Sequence, residues 1–211
     1  MLYSELQCSP AIHQAVERMG FAEMTEIQEK TIPVMMAGHD VIAKAPTGTG
    51  KTCAFGIPVA EHINPEKKYP QAVIMAPTRE LAQQIAEELT ELTYFMPEVQ
   101  VACVYGGANM EKQARRLAEG CQIVVATPGR LMDHYKHHSI DLAHVTQVVL
   151  DEADEMLNMG FYKDVRHIIE LMKARKSLSM FSATISREVM DIGWLYQNNA
   201  EEITVQPREE T

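Results

Sequence analysis

The chain has 211 residues, 46% of them hydrophobic and 23% charged, enough for a sizeable core and typical of one α/β domain. Its apolar runs, such as those at 73–76 and 148–150, fall far below the roughly 18 residues a membrane span needs. The first ten residues show no basic region followed by an apolar stretch, so a soluble, cytoplasmic protein without membrane contact is expected. A net charge of -10, from 29 acids against 19 bases, argues against a nucleic-acid partner, whose binders usually display a basic surface.

In chain order, the first 39 residues read as a small helical preface. Ser9-Pro10 can start one helix and Gly20 can end it, while Thr25 followed by Gln28 has the spacing of a capping box for the next. Apolar, β-branched runs then recur between helical patterns, at 40–45, 71–76, 99–105, 122–127, 145–151 and 177–183. Such alternation predicts a parallel sheet covered by helices. Leu81, Ile85, Leu89 and Leu92 keep the three-to-four spacing of a helix buried on one side. "INPEKKYP" at 63–70 reads as a turn-rich surface loop. After the last of these runs only one helical stretch and a terminal "EEITVQPREET" are expected.

The four cysteines form no CxxC pair and no zinc spacing, and are expected to be reduced packing residues. His134, His137 and His138 could bind a metal from one helix face, but no carboxylate or cysteine completes a ligand set. A polar helix end running into a loop fits them better.

The first chemical signal is "AKAPTGTGKTCAF" at 43–55. A buried strand runs into Pro46-Thr47-Gly48-Thr49-Gly50 and a helix opens at Lys51, the context a phosphate-binding loop requires. Gly48 and Gly50 can take backbone angles that turn successive N–H groups around a phosphate at a helix N-terminus. Lys51 would reach the β- and γ-phosphates of a nucleotide, and the Thr52 hydroxyl would ligate magnesium. The pattern wants glycine where Ala45 stands. A second signal is "VVLDEAD", where Asp151 follows an apolar run and can hold the metal's water shell, while Glu152 can orient or deprotonate the attacking water.

Asp151-Glu152-Ala153-Asp154 resembles the signature of the DEAD-box RNA helicases, and the first-domain motifs of that family follow in order over nearly the whole chain. "APTGTGKT" at 45–52 is similar to the family's phosphate loop, in which alanine commonly takes the first position. "PTRELA" at 77–82, Gly106-Gly107, "TPGR" at 127–130 and "SAT" at 182–184 continue the match. "GFAEMTEIQ" at 20–28 resembles the Q motif, with Met24 and Glu26 where prolines are usual and with Phe21, Thr25 and Gln28 retained. Tyr3 stands where the family carries an isolated upstream aromatic.

The resemblance implies a RecA-like P-loop domain, a mostly parallel central sheet with helices on both faces, that binds ATP and Mg2+. It implies that Tyr3, Phe21, Thr25 and Gln28 hold the base, with Phe21 covering one face. Gln28 would donate to adenine N7 and accept from the exocyclic amine, the geometry by which glutamine reads adenine in DNA. Thr47, Gly48, Thr49, Gly50, Lys51 and Thr52 would hold the phosphates, with Lys51, Asp151 and Glu152 catalytic and Thr52 and Asp151 on the metal. Pro77, Thr78, Arg79, Gly106, Gly107, Thr127, Pro128, Gly129 and Arg130 would hold single-stranded RNA or one strand of a short duplex by its backbone, without reading sequence. The alternative for the arginines is pairing with acids on the same face. Ser182 and Thr184 would bond toward Asp154 and couple nucleotide state to RNA handling.

The family's active machine has two such domains, so the chain is expected to be a single N-terminal ATP-binding domain, monomeric, that requires a second helicase domain for hydrolysis and local unwinding. The other classes are a truncated, non-hydrolysing RNA- or protein-binding module and a DNA-translocating relative; the literal Asp-Glu-Ala-Asp and the Q motif disfavour the latter.

Overall fold

The computed structural model describes residues 1–47 and 50–206. The roles expected of Gly48 and Thr49 therefore fall outside the described residues.

The first helix, α1 (Pro10–Arg18), is capped by the Ser9 side chain, which accepts from the Ile12 N–H. Gly20 follows it at φ 83, the left-handed turn that glycine permits at a helix end. Helix α2 (Glu26–Met36) opens on a full capping box: Thr25 accepts from the Gln28 N–H and the Gln28 side chain accepts from the Thr25 N–H. Glu26 takes the first helical position, where a proline was the usual residue and where an acid suits the helix dipole.

Among the described residues seven parallel strands follow, β1 (Val41–Lys44), β2 (Ala72–Met75), β3 (Val101–Val104), β4 (Ile123–Ala126), β5 (Gln147–Leu150), β6 (Ser177–Ser182) and β7 (Glu201–Thr204). Their order across the sheet is β3-β4-β2-β5-β6-β1-β7, and every strand pairing among the described residues is parallel. The helices between them are α3 (Lys51–Glu61), α4 (Arg79–Leu92), α5 (Met110–Ala118), α6 (Pro128–Lys136), α7 (Ala153–Met156), α8 (Tyr162–Leu171) and α9 (Arg187–Tyr196).

Strand side chains alternate between two cores, as the period of two requires. Ile74, Ile123, Val125, Val149 and Phe181 face α1 to α4. Val73, Met75, Val124, Val148 and Met180 face α5 to α9. Helix α3 is buried along nearly its whole length because it is wedged between the sheet, α2 and α4. Gly56 permits that closeness, since a Cβ there would sit 2.8 Å from Leu92 Cδ1 and 3.0 Å from Leu89 Cδ2.

The expected terminal segment contains an element the reading lacked. β7 lies parallel to β1, with Ile203 opposite Ala43. Of its four side chains only Ile203 is buried. An edge strand carrying Glu201 and Glu202 has almost no apolar signature, and its charges suit an unpaired edge.

The His134 expectation also needs correction. His134 is buried, not part of a polar helix end; it sits on the inner face of α6, and only His137 and His138 form the exposed end.

Candidate functional site

The motif segments from 45 onward leave the C-terminal ends of strands, so they line one edge of the sheet, where open α/β folds place ligands, while the 20–28 segment and Tyr3 precede β1. The turn after β1 leads into α3. Gly50 caps that helix at φ 76, a backbone angle that favours glycine, and a Cβ there would press on the Gln28 amide, 2.7 Å from Nε2. Lys51 is the first helical residue. Its Nζ is buried and finds no hydrogen-bond partner among the described residues; Asp151 Oδ1 is its nearest countercharge, at 3.4 Å. Thr47 is exposed at the mouth of this turn.

Burial pushes the Asp151 carboxyl above its ordinary range, against the opposing pull of the Lys51 ammonium and of the Glu152 N–H, which donates to Oδ1 at 2.9 Å. Glu152 stands in the left-handed region, φ 49, a conformation that costs a non-glycine residue about 1 kcal/mol or more. Its carboxyl is also pushed up, first by burial and then by Asp151 and Asp154, with Lys51 opposing. A carboxyl raised in this way is a better proton acceptor when ionised. Glu88 on α4, which belongs to none of the motifs, also lines this site. Burial raises its carboxyl, while a hydrogen bond with Thr52 opposes the rise.

The end expected to hold the base is an open cleft of about 590 Å³ between the N-terminal segment and α3, lined by Tyr3, Phe21, Thr25, Gln28, Cys53 and Glu88 among others. Tyr3 and Phe21 stack, with ring centroids 6.3 Å apart and planes at 24°; Phe21 is exposed and Tyr3 buried. The Gln28 carbonyl oxygen accepts from the Thr25 N–H at 3.0 Å and also from the Tyr3 hydroxyl. Its amide nitrogen donates to the Gly50 carbonyl at 3.1 Å. An amide oxygen has two lone pairs and an amide nitrogen two hydrogens, so one donor remains and no acceptor does. The bidentate pairing expected of Gln28 is thus half occupied from within the protein.

Along the same edge, the exposed Arg79 guanidinium lies over the Tyr105 ring, 4.8 Å from its centroid. It is near Gly107, where an added Cβ would sit 3.7 Å from Arg79 Nη1. Gly106 and Gly107 are exposed, whereas Pro77 and Pro128 are buried, so the prolines shape the turns without presenting a surface. Thr78 spends its hydroxyl capping α4, accepting from the Leu81 N–H; Thr127 caps α6 without a side-chain bond. Gly129 is half-buried, a Cβ there approaching Phe161 at 3.8 Å.

Arg130 differs from the free phosphate donor the reading expected. Its Nη1 donates to the Ala108 carbonyl at 3.0 Å and to Gln113 Oε1 at 3.2 Å, and Nε lies 3.8 Å from Asp133. The side chain is only 14% exposed, so Arg130 mainly braces the 106–108 turn. Gln113 completes the brace by donating to the Tyr105 carbonyl at 3.0 Å and contacting His134 Nε2 at 3.0 Å. Burial lowers the His134 pKa, with Arg130 adding to the effect. A neutral ring donating from Nε2 satisfies Gln113 Oε1. Gln83 donates to the Tyr105 hydroxyl at 2.9 Å. Tyr105, Gln113 and Gln83 carried no sequence signal beyond their proximity to the glycine pair.

Behind the phosphate end, Asp154 Oδ2 accepts from the Thr184 N–H at 3.1 Å and its hydroxyl at 2.9 Å. The Asp154 N–H donates to Ser182 Oγ at 3.1 Å. Burial pushes Asp154 up, but these hydrogen bonds, with that of the Glu155 N–H, hold it below its ordinary value. The structure therefore brings all three expected coupling residues together.

A family model described as DEAD/DEAH box helicase matches residues 25–192. The chain is 45% identical over its full length to a protein of Limosilactobacillus reuteri named ATP-dependent RNA helicase CshA, of which it covers 42%. It is 46% identical over 99% of its length to the protein of that name from Listeria monocytogenes, covering 40% of it. Among solved structures, a DEAD box protein from Methanococcus jannaschii superposes with a TM-score of 0.90 at 38% identity, over 98% of this chain and 56% of that one. The chain thus spans about two fifths of the length of these curated relatives.

Proposed function

Because the chain belongs to the DEAD/DEAH box helicase family, we propose that it is the N-terminal, Mg-ATP-binding domain of an ATP-dependent RNA helicase that grips the backbone of single-stranded RNA. The observation that carries this reading is the buried Lys51 ammonium, unpaired except for Asp151, at the N-terminus of α3. A desolvated cation without hydrogen-bond acceptors is costly, and a phosphate at this helix end would satisfy it. The residues present also fit a divalent cation: Thr52 and Asp151 would hold magnesium, which would neutralise charge on the phosphates.

In this reading Lys51 binds the terminal phosphates, and Glu152, held forward by its left-handed backbone, orients the attacking water and takes its proton. Arg79, the exposed N–H groups near Gly106 and Gly107, and the Thr127 hydroxyl grip RNA phosphates and 2′-hydroxyls, whereas Arg130 keeps their turn in place. Asp154, tied to Ser182 and Thr184, carries the nucleotide's state toward the next domain. The curated relatives have more than half their length beyond the matched region. The whole protein's helicase activity is assigned to this domain acting with a second one, which closes over ATP and RNA and supplies the missing cation.

Calorimetric titration of Mg-ATP into the chain and into Lys51→Ala tests the reading. Clear binding by the wild type and a loss of at least about tenfold in the variant are expected, since charge-assisted hydrogen bonds of this kind contribute roughly 1.5 to 3 kcal/mol. Equal affinities would contradict it.

A further inference from the structure

The end of the sheet opposite the motif edge carries a surface that no motif residue lines. There the connections entering β2, β4, β5 and β6 and the last turns of α5, α6 and α8 border a groove of about 900 Å³. Its floor is apolar: Leu117 and Leu142 are buried, Tyr135 and Leu171 half-buried. The exposed Lys68, Lys136 and Lys173 form its rim. Lys173 also borders a smaller cavity of about 290 Å³, to which Arg175 and Lys176 contribute.

The charge of this surface runs against that of the molecule. On a chain of net charge -10, five lysines and arginines against two acids line the two cavities, and both acids are already committed. Asp40 accepts from the Leu178 N–H at 3.0 Å and the Asn198 N–H at 2.8 Å. Asp141 accepts from the Ala143 N–H at 2.9 Å and lies 3.7 Å from His144. Among the described residues Lys136, Lys173 and Lys176 form no ion pair; Lys68 donates to the Glu98 carbonyl and Arg175 to those of Ile169 and Met172. A base at the end of α6 and another just after α8 suit the helix dipoles, but the dipoles do not call for an apolar groove between them.

An apolar floor with ammonium groups on its rim complements a segment that carries large apolar side chains among carboxylates. We propose that this groove docks an acidic peptide segment of a partner protein, with its apolar side chains on the floor and its carboxylates against Lys68, Lys136 and Lys173. RNA fits the groove less well. The aliphatic floor gives bases little to stack on, and the Tyr69 ring is already stacked on His144, with centroids 4.0 Å apart. The C-terminal dipoles of three helices also oppose phosphates placed on the floor. Because the groove lies at the N-terminal ends of the strands, a peptide docked there leaves the motif edge open.

The test is selection from a display library of short random peptides on the 211-residue chain, after depletion of the library on Lys136→Glu/Lys173→Glu. Both lysines are exposed, and thermal melts verify that the variant folds. Enriched sequences should be net acidic and carry a large apolar residue. A synthetic peptide of the enriched sequence, followed by fluorescence anisotropy, should bind the variant about tenfold more weakly than the wild type. Replacing its apolar residue with serine should weaken binding to the wild type by about tenfold as well. A labelled single-stranded RNA should bind wild type and variant alike. No enrichment, enrichment of neutral or basic sequences, or a peptide affinity that the variant retains overturns the proposal. So does a loss of affinity in the variant for the RNA but not for the peptide, which would make the groove an RNA surface.

Discussion

At the scale of single residues, the phosphate end is dominated by two buried opposite charges with unequal support. Lys51 restrains the rise of the Asp151 pKa that burial causes. A carboxyl whose folded pKa lies above its unfolded value loses stabilisation as pH rises from the unfolded value through the folded one. Lys51→Met removes the restraining charge and pushes the folded pKa further up, so the variant should lose stability relative to wild type as pH rises. The gap should open by about 3 kcal/mol from acid to neutral pH, the cost of leaving a buried charge alone. Chemical denaturation across that range measures it, and a difference independent of pH would contradict the assignment. Asp154 has the opposite sign. Its folded pKa is depressed, so its contribution is present above the unfolded value and is lost as pH falls through the folded one. Thr184→Val removes one of its donors; for this partly exposed group the cost at neutral pH should be only about 0.5 kcal/mol, vanishing in acid. Lys51, Thr52, Asp151 and Gln28 were all legible as sequence. The saturation of Gln28 was not, because it depends on Tyr3 folding back across 25 positions.

At the scale of elements, the proposed RNA edge is built from a chain of contacts running through α4, the β3 turn, α5 and α6. Gln113 is its centre, joining Tyr105, Arg130 and His134. Gln113→Leu should leave these groups unpaired, costing about 1 to 3 kcal/mol of stability. It should also weaken single-stranded RNA binding several-fold while leaving Mg-ATP affinity intact. Fluorescence anisotropy with labelled RNA, beside the nucleotide titration, reads both; an equal loss of the two would show general disruption instead of a local brace. The strands and helices were legible because apolar runs and the spacing of Ile85, Leu89 and Leu92 follow the burial they acquire. β7 was hidden because one buried Ile203 gives no alternation to read, and its pairing with β1 is a long-range event. Likewise His134 looked like part of a polar run; only the direction of its face on α6 makes it internal.

At the scale of the whole molecule, a net charge of -10 gives little long-range attraction for a polyanion, so RNA affinity should rest on a few aimed donors. Binding by this chain alone should be sequence-independent and no tighter than the ~10⁻⁴ to 10⁻⁶ M of nonspecific contacts at physiological salt. Submicromolar, sequence-selective binding would contradict that. The central proposal is a division of labour: Lys51, Thr52 and Asp151 would hold the ground state of Mg-ATP here, while the cation that stabilises charge on the γ-phosphoryl oxygens would come from another domain. Arginine fingers elsewhere contribute about 10³ to 10⁵ in rate, and among the described residues the arginines at this edge are engaged with Tyr105 and with the turn at 106–108. The most direct measurement is steady-state phosphate release from the purified 211-residue chain, with and without single-stranded RNA. It is repeated with the second domain restored on the same chain and with Glu152→Gln in that longer protein. Slow release that RNA barely alters, a large RNA-dependent rate on restoration, and loss of that rate in Glu152→Gln with ATP still bound are the predicted results. Robust RNA-stimulated hydrolysis by the 211 residues alone would show that the catalytic site is complete within them and contradict the division of labour.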